Sequence, residues 1–464
     1  MHMPIKVGVF FGGMSREREI SFSGGRTVCD HLDRNRFKPV PVFVDSLGNF
    51  ILLDWKYLYQ GTIREFYPSV TDTVHHWNIP LYIESIEGCS AEQQEQFVAT
   101  IGSKIEPSHF KDHFDMVFLC LHGPYGEDGS IQGLLDWYQI PYVGASILPA
   151  ALGVHKVFQK KLLRYAGFLV PPAVVLSQQK WLDTKDKEAL LEHVIATVGL
   201  PFVVKSSTQG SSIGVSIVQE NTVSAFETAV HRAFFIEALS HETWQQWTIE
   251  DKKKWLYTLT DVREGIGFPL CIGKHLFYTP CSLLTYLETY FKTHQATCIL
   301  VNVCAEETIL IEFFIAGREF SCIVLEAEKG LPIALSPTEM LKENVHFDYR
   351  AKYLPGIVRK QTPMDLTASM LSAIRKKAVA LFQLLDCQVY ARIDGFITNE
   401  NEIVLNDPNT TAGMNPSSFL FHQAAEIGLN PTQLLTFLIQ RSLQARKEAH
   451  RSYLTAQACL ERLI

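Results

Sequence analysis

No apolar stretch in this chain approaches the ~20 uninterrupted residues that crossing a bilayer requires, so no membrane partner is expected. The run at 7–11 is too short for the core of a signal peptide. The 10 cysteines include no Cys-x-x-Cys pair and no histidine at zinc-finger spacing, which excludes the common structural zinc modules. With no export signal, the expected location is a reducing cytoplasm with idle or buried thiols. Positive charge is not in excess. A formal net charge of -7 excludes bulk electrostatic attachment to nucleic acid or acidic membranes. The Gly-x-Gly-x-x-Gly fingerprint and the Walker Lys-Ser/Thr are both missing, so the commonest dinucleotide and triphosphate loops are ruled out. Internal repeats and low-complexity tracts are absent too.

What remains is an ordinary globular composition, 47% hydrophobic and 20% charged, in 464 residues, enough for two to four packed lobes. Residues 5–11 read as a buried strand, Gly12-Gly13 as a tight turn, and 15–32 as the start and body of a helix. That order places backbone N–H groups where an anion can meet them. Strands are expected at 37–44 and 115–121. The latter runs into His122-Gly123-Pro124-Tyr125-Gly126-Glu127-Asp128-Gly129, a glycine-rich loop of the kind that builds sites at the carboxyl edge of a parallel sheet. Residues 48–106 lack periodicity and read as an elaboration of this first lobe. Helices follow at 130–138 and 150–165, and Pro171-Pro172 marks a boundary. Lys205 ends a strand at 201–205 and precedes the hydroxyl-rich loop 206–214. Charge, N–H and hydroxyl together can grip phosphate there, although a solvated hairpin turn fits the same composition. From 236 to 304 the character changes, and Trp244, Trp247 and Trp255 suit the local core of a small subdomain. Glu312 sits inside an apolar strand at 308–315 and needs a partner, either a ribose hydroxyl or a neighbouring lysine. Residues 346–355, with Lys352 and Tyr353, read as a loop that covers a site.

The chemistry is expected to centre on residues 391–418. Apolar residues flank the polar turn Asn399-Glu400-Asn401-Glu402 on both sides, which predicts a hairpin. The hairpin brings Asp394 alongside Asp407 and Asn409, three oxygen-bearing side chains that suit a hard cation such as Mg²⁺. Arg392, two residues before Asp394, shares its face. A cation beside a metal–carboxylate cluster is the signature of an expected phosphate.

Taken in order, Gly12-Gly13-Met14-Ser15 with Glu17, Leu121-His122-Gly123 with Gly126-Glu127-Asp128-Gly129, Lys205 with Gly210-Ser211-Ser212, Asp348-Tyr349 with Lys352-Tyr353, Ala391-Arg392-Ile393-Asp394, and Asn409-Thr410 resemble the D-alanine–D-alanine ligases, members of the ATP-grasp enzymes. The similarity spans about 5–440 apart from 236–304. It implies an α/β fold of three lobes: a Rossmann-like parallel-sheet N-terminal domain at 1–148, a central ATP-grasp lobe at 149–311 containing the insertion, and a C-terminal ATP-grasp lobe at 312–464. It further implies that Lys156, Lys205 and Glu312 hold ATP, with the backbone of Phe313, Phe314 and Ile315 facing adenine. Asp394, Asp407 and Asn409 would bind two Mg²⁺ ions, with Mn²⁺ as the alternative. Glu17 would pair with the ammonium of the first D-alanine, near His122, and Ser211 and Tyr353 would hydrogen-bond with Glu17. Lys352 would touch the transferred phosphate, Arg392 and the Gly413 N–H would stabilise the oxyanion, and Ser418 would hold the carboxylate of the second D-alanine. A homodimer is the implied assembly.

The chain departs from that pattern in four places. Asp407 stands where glutamate is usual, withdrawing the carboxylate by roughly 1.5 Å, about one C–C bond. Ser206 replaces a proline, Gln209 a glutamate, and Thr411-Ala412-Gly413 the commoner Ser-Pro-Gly. The alternatives are therefore a nucleotide-binding ATP-grasp protein weakened as a ligase at Asp407, or one with another D-amino or D-hydroxy acid as acceptor. Tyr353 favours the dipeptide.

Overall fold

The computed structural model describes residues 3–67, 72–74, 77–79, 88–327, 330–342, 358–448 and 454–463. They fall into two units. The first comprises Met1–Tyr59, Gly102–Val170 and Ile315–Ile464, the second Gln60–Ile101 and Pro171–Phe314. Of the stretch 48–106, therefore, only the two ends stay with the first lobe. Phe50–Leu53 and Gly102–Ile105 join its sheet, and Gln60–Ile101 belongs to the other unit.

The first unit holds two sheets. In one, Phe37–Val44, Ile5–Gly12, Met116–Leu119 and Tyr142–Val143 lie parallel in that order, with Phe50–Leu53 and Gly102–Ile105 added antiparallel at one edge. The parallel strands are nearly continuous apolar runs because helices and loops cover both faces. Phe10, Phe110 and Phe114 meet edge-on in the core at centroid distances of 5.5 Å from Phe10. The helix Arg18–His31 approaches the Ile5–Gly12 strand closely through Gly25, where a Cβ would stand 2.5 Å from the Phe11 ring. The region read as one helix at 150–165 is two, Ile147–Val154 and Lys156–Tyr165, broken at His155 where ψ is 90°.

The second sheet of this unit is antiparallel in the order Val358–Gln361, Thr338–Lys342, Gly317–Glu326, Tyr390–Thr398, Ile403–Asn409, with Pro332–Ala334 paired to Gly317–Glu326. Alternation along the strands decides its two faces. Phe320, Cys322, Val324, Ala391 and Ile393 pack on Ile374, Ala378 and Leu381 of the helix Ala368–Leu384. Ser321, Arg392 and Asp394 therefore face the other way. Burying each large apolar side chain contributes about 1.5–3 kcal/mol, which fixes that register, since a one-residue slip would exchange the faces.

The second unit is built on the antiparallel sheet Ser216–Val218, Phe202–Ser206, Thr308–Phe313, Ala173–Ser177. Residues 236–304 form a sheet of their own, Ile236–Leu239, Cys298–Asn302, Leu270–Ile272, His275–Phe277. As expected, its tryptophans are local core: Trp247 and Trp255 lie 5.5 Å apart, and Trp244 stacks on Phe291 at 5.5 Å. Among the described residues no helix is long and apolar enough to cross a membrane.

Candidate active site

The hairpin forms where it was expected, from Tyr390–Thr398 and Ile403–Asn409 around the turn at 399–402. An unbroken ladder would have defeated its chemistry. Asp394 pairs with Asn406, so in regular register Asp407 and Asn409 would point to the opposite face. A bulge resolves this: three steps from Asn406 to Asn409 span two from Asp394 to Arg392, so Asn409 comes opposite Arg392. Asp407 absorbs the extra residue at φ 40°.

Three side chains then converge on Asp394. Arg392 donates from Nε to Oδ1 at 3.0 Å and from Nη2 to Oδ2 at 2.8 Å. Ser321 Oγ donates to Oδ1 at 2.6 Å and Asn409 Nδ2 to Oδ2 at 3.2 Å. Asp407 accepts from Asn406 Nδ2 at 3.1 Å, and Asn406 Oδ1 accepts from buried Lys160 at 2.8 Å. Sequence reasoning missed Ser321, Asn406 and Lys160. Strand pairing brings Ser321 here and the helix Lys156–Tyr165 brings Lys160, although Asn406 was visible as a polar break in the strand.

Among the described residues no group of three or more His, Cys, Asp or Glu forms a metal cluster. Two carboxylates and an amide nevertheless fit Mg²⁺, which is commonly held by one or two carboxylates with substrate phosphates completing its shell. All the donors are hard oxygens, so zinc is disfavoured.

In the same unit Glu17 stands at the N-cap position of the helix Arg18–His31, with no capping bond from its side chain, and is 3% exposed. The loop after Met116–Leu119 comes against it. Gly123, at φ 70°, passes so close that a Cβ would stand 3.1 Å from Glu17 Oε2 and 2.9 Å from Ser15 Cβ. His122 Nδ1 lies 2.9 Å from Glu127 Oε1, and the other oxygen of Glu127 accepts the Gly123 N–H at 2.9 Å. Desolvation pushes the His122 pKa down, but the charge and hydrogen bond of Glu127, joined by Glu17, outweigh it, and the net shift is upward. Its Nε2 is buried with no hydrogen-bond partner among the described residues. Glu127 had been visible in the glycine-rich loop but carried no role.

Ser418 is the N-cap of the helix Phe419–Glu426, accepting from the Phe421 N–H at 3.4 Å. Arg392 lies 5.9 Å from the Phe419 ring, which puts the arginine and the cap in one neighbourhood. Gly413 has open space around its Cα. Lys156 is the first residue of its helix and half-buried. Lys352 and Tyr353 lie outside the described residues.

In the second unit Lys205 and Glu312 form a buried ion pair at 2.6 Å, on the same face of adjacent strands. The lysine is thus the partner that Glu312 was expected to need. Ser211 and Ser212 take φ 51° and 61° in the loop after Phe202–Ser206. Phe313 is exposed, with its N–H donated to the Pro172 carbonyl at 3.1 Å, and Phe314 is half-buried, as is Ile315, where the chain returns to the first unit.

Comparison with known proteins agrees with the motif order. A family model described as the D-ala D-ala ligase N-terminus matches residues 6–145, and the one for the D-ala D-ala ligase C-terminus matches 162–239 and 294–440, so the stretch outside the match is narrower than the expected 236–304 and leaves the strands Ile236–Leu239 and Cys298–Asn302 inside it. A D-alanine–D-alanine ligase of Geobacillus thermodenitrificans is 26% identical over 448 residues, covering 96% of this chain and 97% of its own. The solved D-alanine–D-alanine ligase of Coxiella burnetii aligns with a TM-score of 0.61 at 20% identity over 98% of this chain and 99% of that one. The VanG D-Ala:D-Ser ligase of Enterococcus faecalis aligns at 0.60 and 22% identity over 95% and 100%. These structural likenesses carry the fold, which is that of the ATP-grasp enzymes.

Proposed function

Because the chain belongs to the D-alanine–D-alanine ligase family, we propose that it joins two D-alanine molecules at the expense of ATP, releasing ADP and phosphate, for peptidoglycan precursor synthesis. The observation that supports this reading for the chain itself is the bulged hairpin, which brings Arg392 and Asn409 onto Asp394 with Asp407 at the bulge. The three-lobe division at 1–148, 149–311 and 312–464 belongs to the same reading, as do a homodimer and a cytoplasmic location.

A carboxylate resists attack by an amine because it is negatively charged and has no leaving group. The first D-alanine carboxylate therefore takes the γ-phosphoryl group of ATP. An O–P bond forms, the bond to the ADP oxygen breaks, and an acyl phosphate results. The second D-alanine, with its amine deprotonated, attacks the acyl carbon and phosphate leaves. Charge builds first on the phosphoryl oxygens and then on the tetrahedral oxyanion, and Arg392, with the Gly413 N–H, is the group suited to both. Mg²⁺ held by Asp394, Asp407 and Asn409 would neutralise the triphosphate. Lys205, with Lys156, serves the phosphates, and Glu312 the ribose, once nucleotide competes with their mutual pairing. Glu17 takes the first D-alanine ammonium, and the unspent Nε2 of His122 faces the polar end of the same substrate. Ser418 holds the second carboxylate at a helix N-terminus, where a negative charge is favoured. Lys352 and Tyr353 complete the set, with Tyr353 and Ser211 closing over Glu17 to exclude water from the acyl phosphate.

The test is ADP release by the purified chain with ATP and Mg²⁺, run in parallel with D-alanine, D-serine, D-lactate and L-alanine, with mass detection of the product. D-alanine is expected to give the dipeptide. No ADP above background with D-alanine would sink the ligase reading.

A further inference from the structure

Glu306 lies in the chain between Cys298–Asn302, an interior strand of the 236–304 sheet, and the strand Thr308–Phe313, and it is 5% exposed. Among the described residues, every side-chain hydrogen bond of this buried carboxylate goes to one short segment. Oε2 accepts from the Ser207 N–H at 3.1 Å, the Ser207 hydroxyl at 2.9 Å and the Thr208 N–H at 3.2 Å. Oε1 accepts from the Thr208 hydroxyl at 2.6 Å and from Gln209 Nε2 at 3.0 Å. The Ser207 hydroxyl also lies 3.1 Å from the Thr308 hydroxyl, and the Ser206 hydroxyl donates to the Ala233 carbonyl at 2.7 Å, while the Glu306 N–H donates to the neighbouring Phe234 carbonyl at 3.3 Å. The two departures noted around this loop now have a physical account. A proline at 206 could not make the bond to Ala233. A glutamate at 209 would set a second carboxylate against Glu306, where glutamine donates a hydrogen bond.

From this network we infer that Glu306 is a positioning residue for the ligase reaction, holding the Ser207–Ser212 loop in the conformation that presents Gly210, Ser211 and Ser212 to the phosphates. The inference rests on the ligase reading above. Five donors to one carboxylate over three consecutive residues order the start of the loop. The left-handed Ser211 and Ser212 that follow are conformations an untethered serine rarely holds. Charge-assisted hydrogen bonds are about twice as strong as neutral ones, so an amide at 306 weakens the tether and also turns an acceptor into a donor facing donors.

The experiment compares Glu306→Gln and Gln209→Glu with the wild type by amide hydrogen exchange over 207–212, thermal melting, and steady-state kinetics with varied ATP. Both variants are expected to exchange faster in this loop and to raise the KM for ATP about tenfold, roughly one lost charge-assisted bond. The fraction of ADP released without dipeptide should rise as well. A merely structural role would lower the melting temperature and leave the KM of the folded protein where it was. If Glu306→Gln does not fold, Gln209→Glu decides the matter alone. Unchanged loop exchange, or faster exchange with unchanged KM and coupling, overturns the inference. Failure of the wild type to release ADP would instead refute the ligase reading, and the exchange comparison would still decide whether Glu306 orders the loop.

Discussion

Arg392 and Asp394 stand two residues apart on one face of one strand, and the arginine closes a two-pronged fork on the carboxylate, Nε to Oδ1 at 3.0 Å and Nη2 to Oδ2 at 2.8 Å. The pairing aims the guanidinium before any substrate arrives, and preorganisation of this kind is what makes electrostatic stabilisation effective. Lysine keeps the charge but loses the planar fork. Arg392→Lys is therefore expected to lower kcat by about 100-fold with a much smaller change in the KM for ATP. Steady-state ADP release would measure it, and an unchanged kcat would remove Arg392 from the chemistry.

The parts of this site that could be read in the sequence were those governed by local rules. A polar turn between apolar runs gave the 390–409 hairpin, and alternation put Arg392 and Asp394 on one face. The bulge was not legible, because a ladder's register is settled by pairing with a second strand and the sequence of Asp407-Pro408 does not by itself state φ 40°. Partners distant along the chain were equally hidden. Ser321 reaches Asp394 across 73 residues and Lys160 reaches Asn406 across 246. The single helix expected at 150–165 failed for a local reason, since its apolar periodicity continues through His155 while the backbone there is extended.

Lys205 and Glu312 are both buried, so neither can lose the other without exposing a charge to an apolar strand pair. Lys205→Met is expected to destabilise the protein by about 3–5 kcal/mol, because the buried Glu312 carboxylate loses the lysine's charge. Pairing it with Glu312→Leu should restore most of that stability while leaving ATP binding abolished. Urea melts and nucleotide titration of the single and double variants separate the two effects. If the double variant binds ATP normally, the pair is structural only.

His231 packs edge-on against Trp181 at 5.6 Å. Burial, with Lys187 adding repulsion, pushes its pKa down to about 4. Because the folded state prefers the neutral ring, the stability this contributes is present above the unfolded value of about 6.5. It is lost as pH falls from there toward about 4, by on the order of 2–3 kcal/mol. Denaturant melts at pH 7.5 and 4.5, each about a window edge, should show His231→Phe losing less stability on acidification than the wild type. Equal losses would mean that His231 does not carry the effect.

Asp407 couples two requirements that substitution can separate. Its backbone must hold φ 40° for the bulge to bring Asn409 opposite Arg392, and its carboxylate must remain negative if it is to seat a divalent ion. Asparagine is among the residues that tolerate left-handed φ best, so Asp407→Asn keeps the bulge and its melting temperature. It removes the charge, however, and the Mg²⁺ concentration for half-maximal activity should rise by about tenfold or more. Asp407→Glu adds one methylene, extending the reach of the carboxylate by about 1.5 Å. That should lower the same Mg²⁺ requirement, at a modest cost in stability because glutamate is less suited to positive φ. Mg²⁺ titrations of ADP release beside thermal melts give both readings. Were Asp407→Asn to titrate like the wild type, the ion would have to be seated without this carboxylate, and the bulge would serve only to place Asn409.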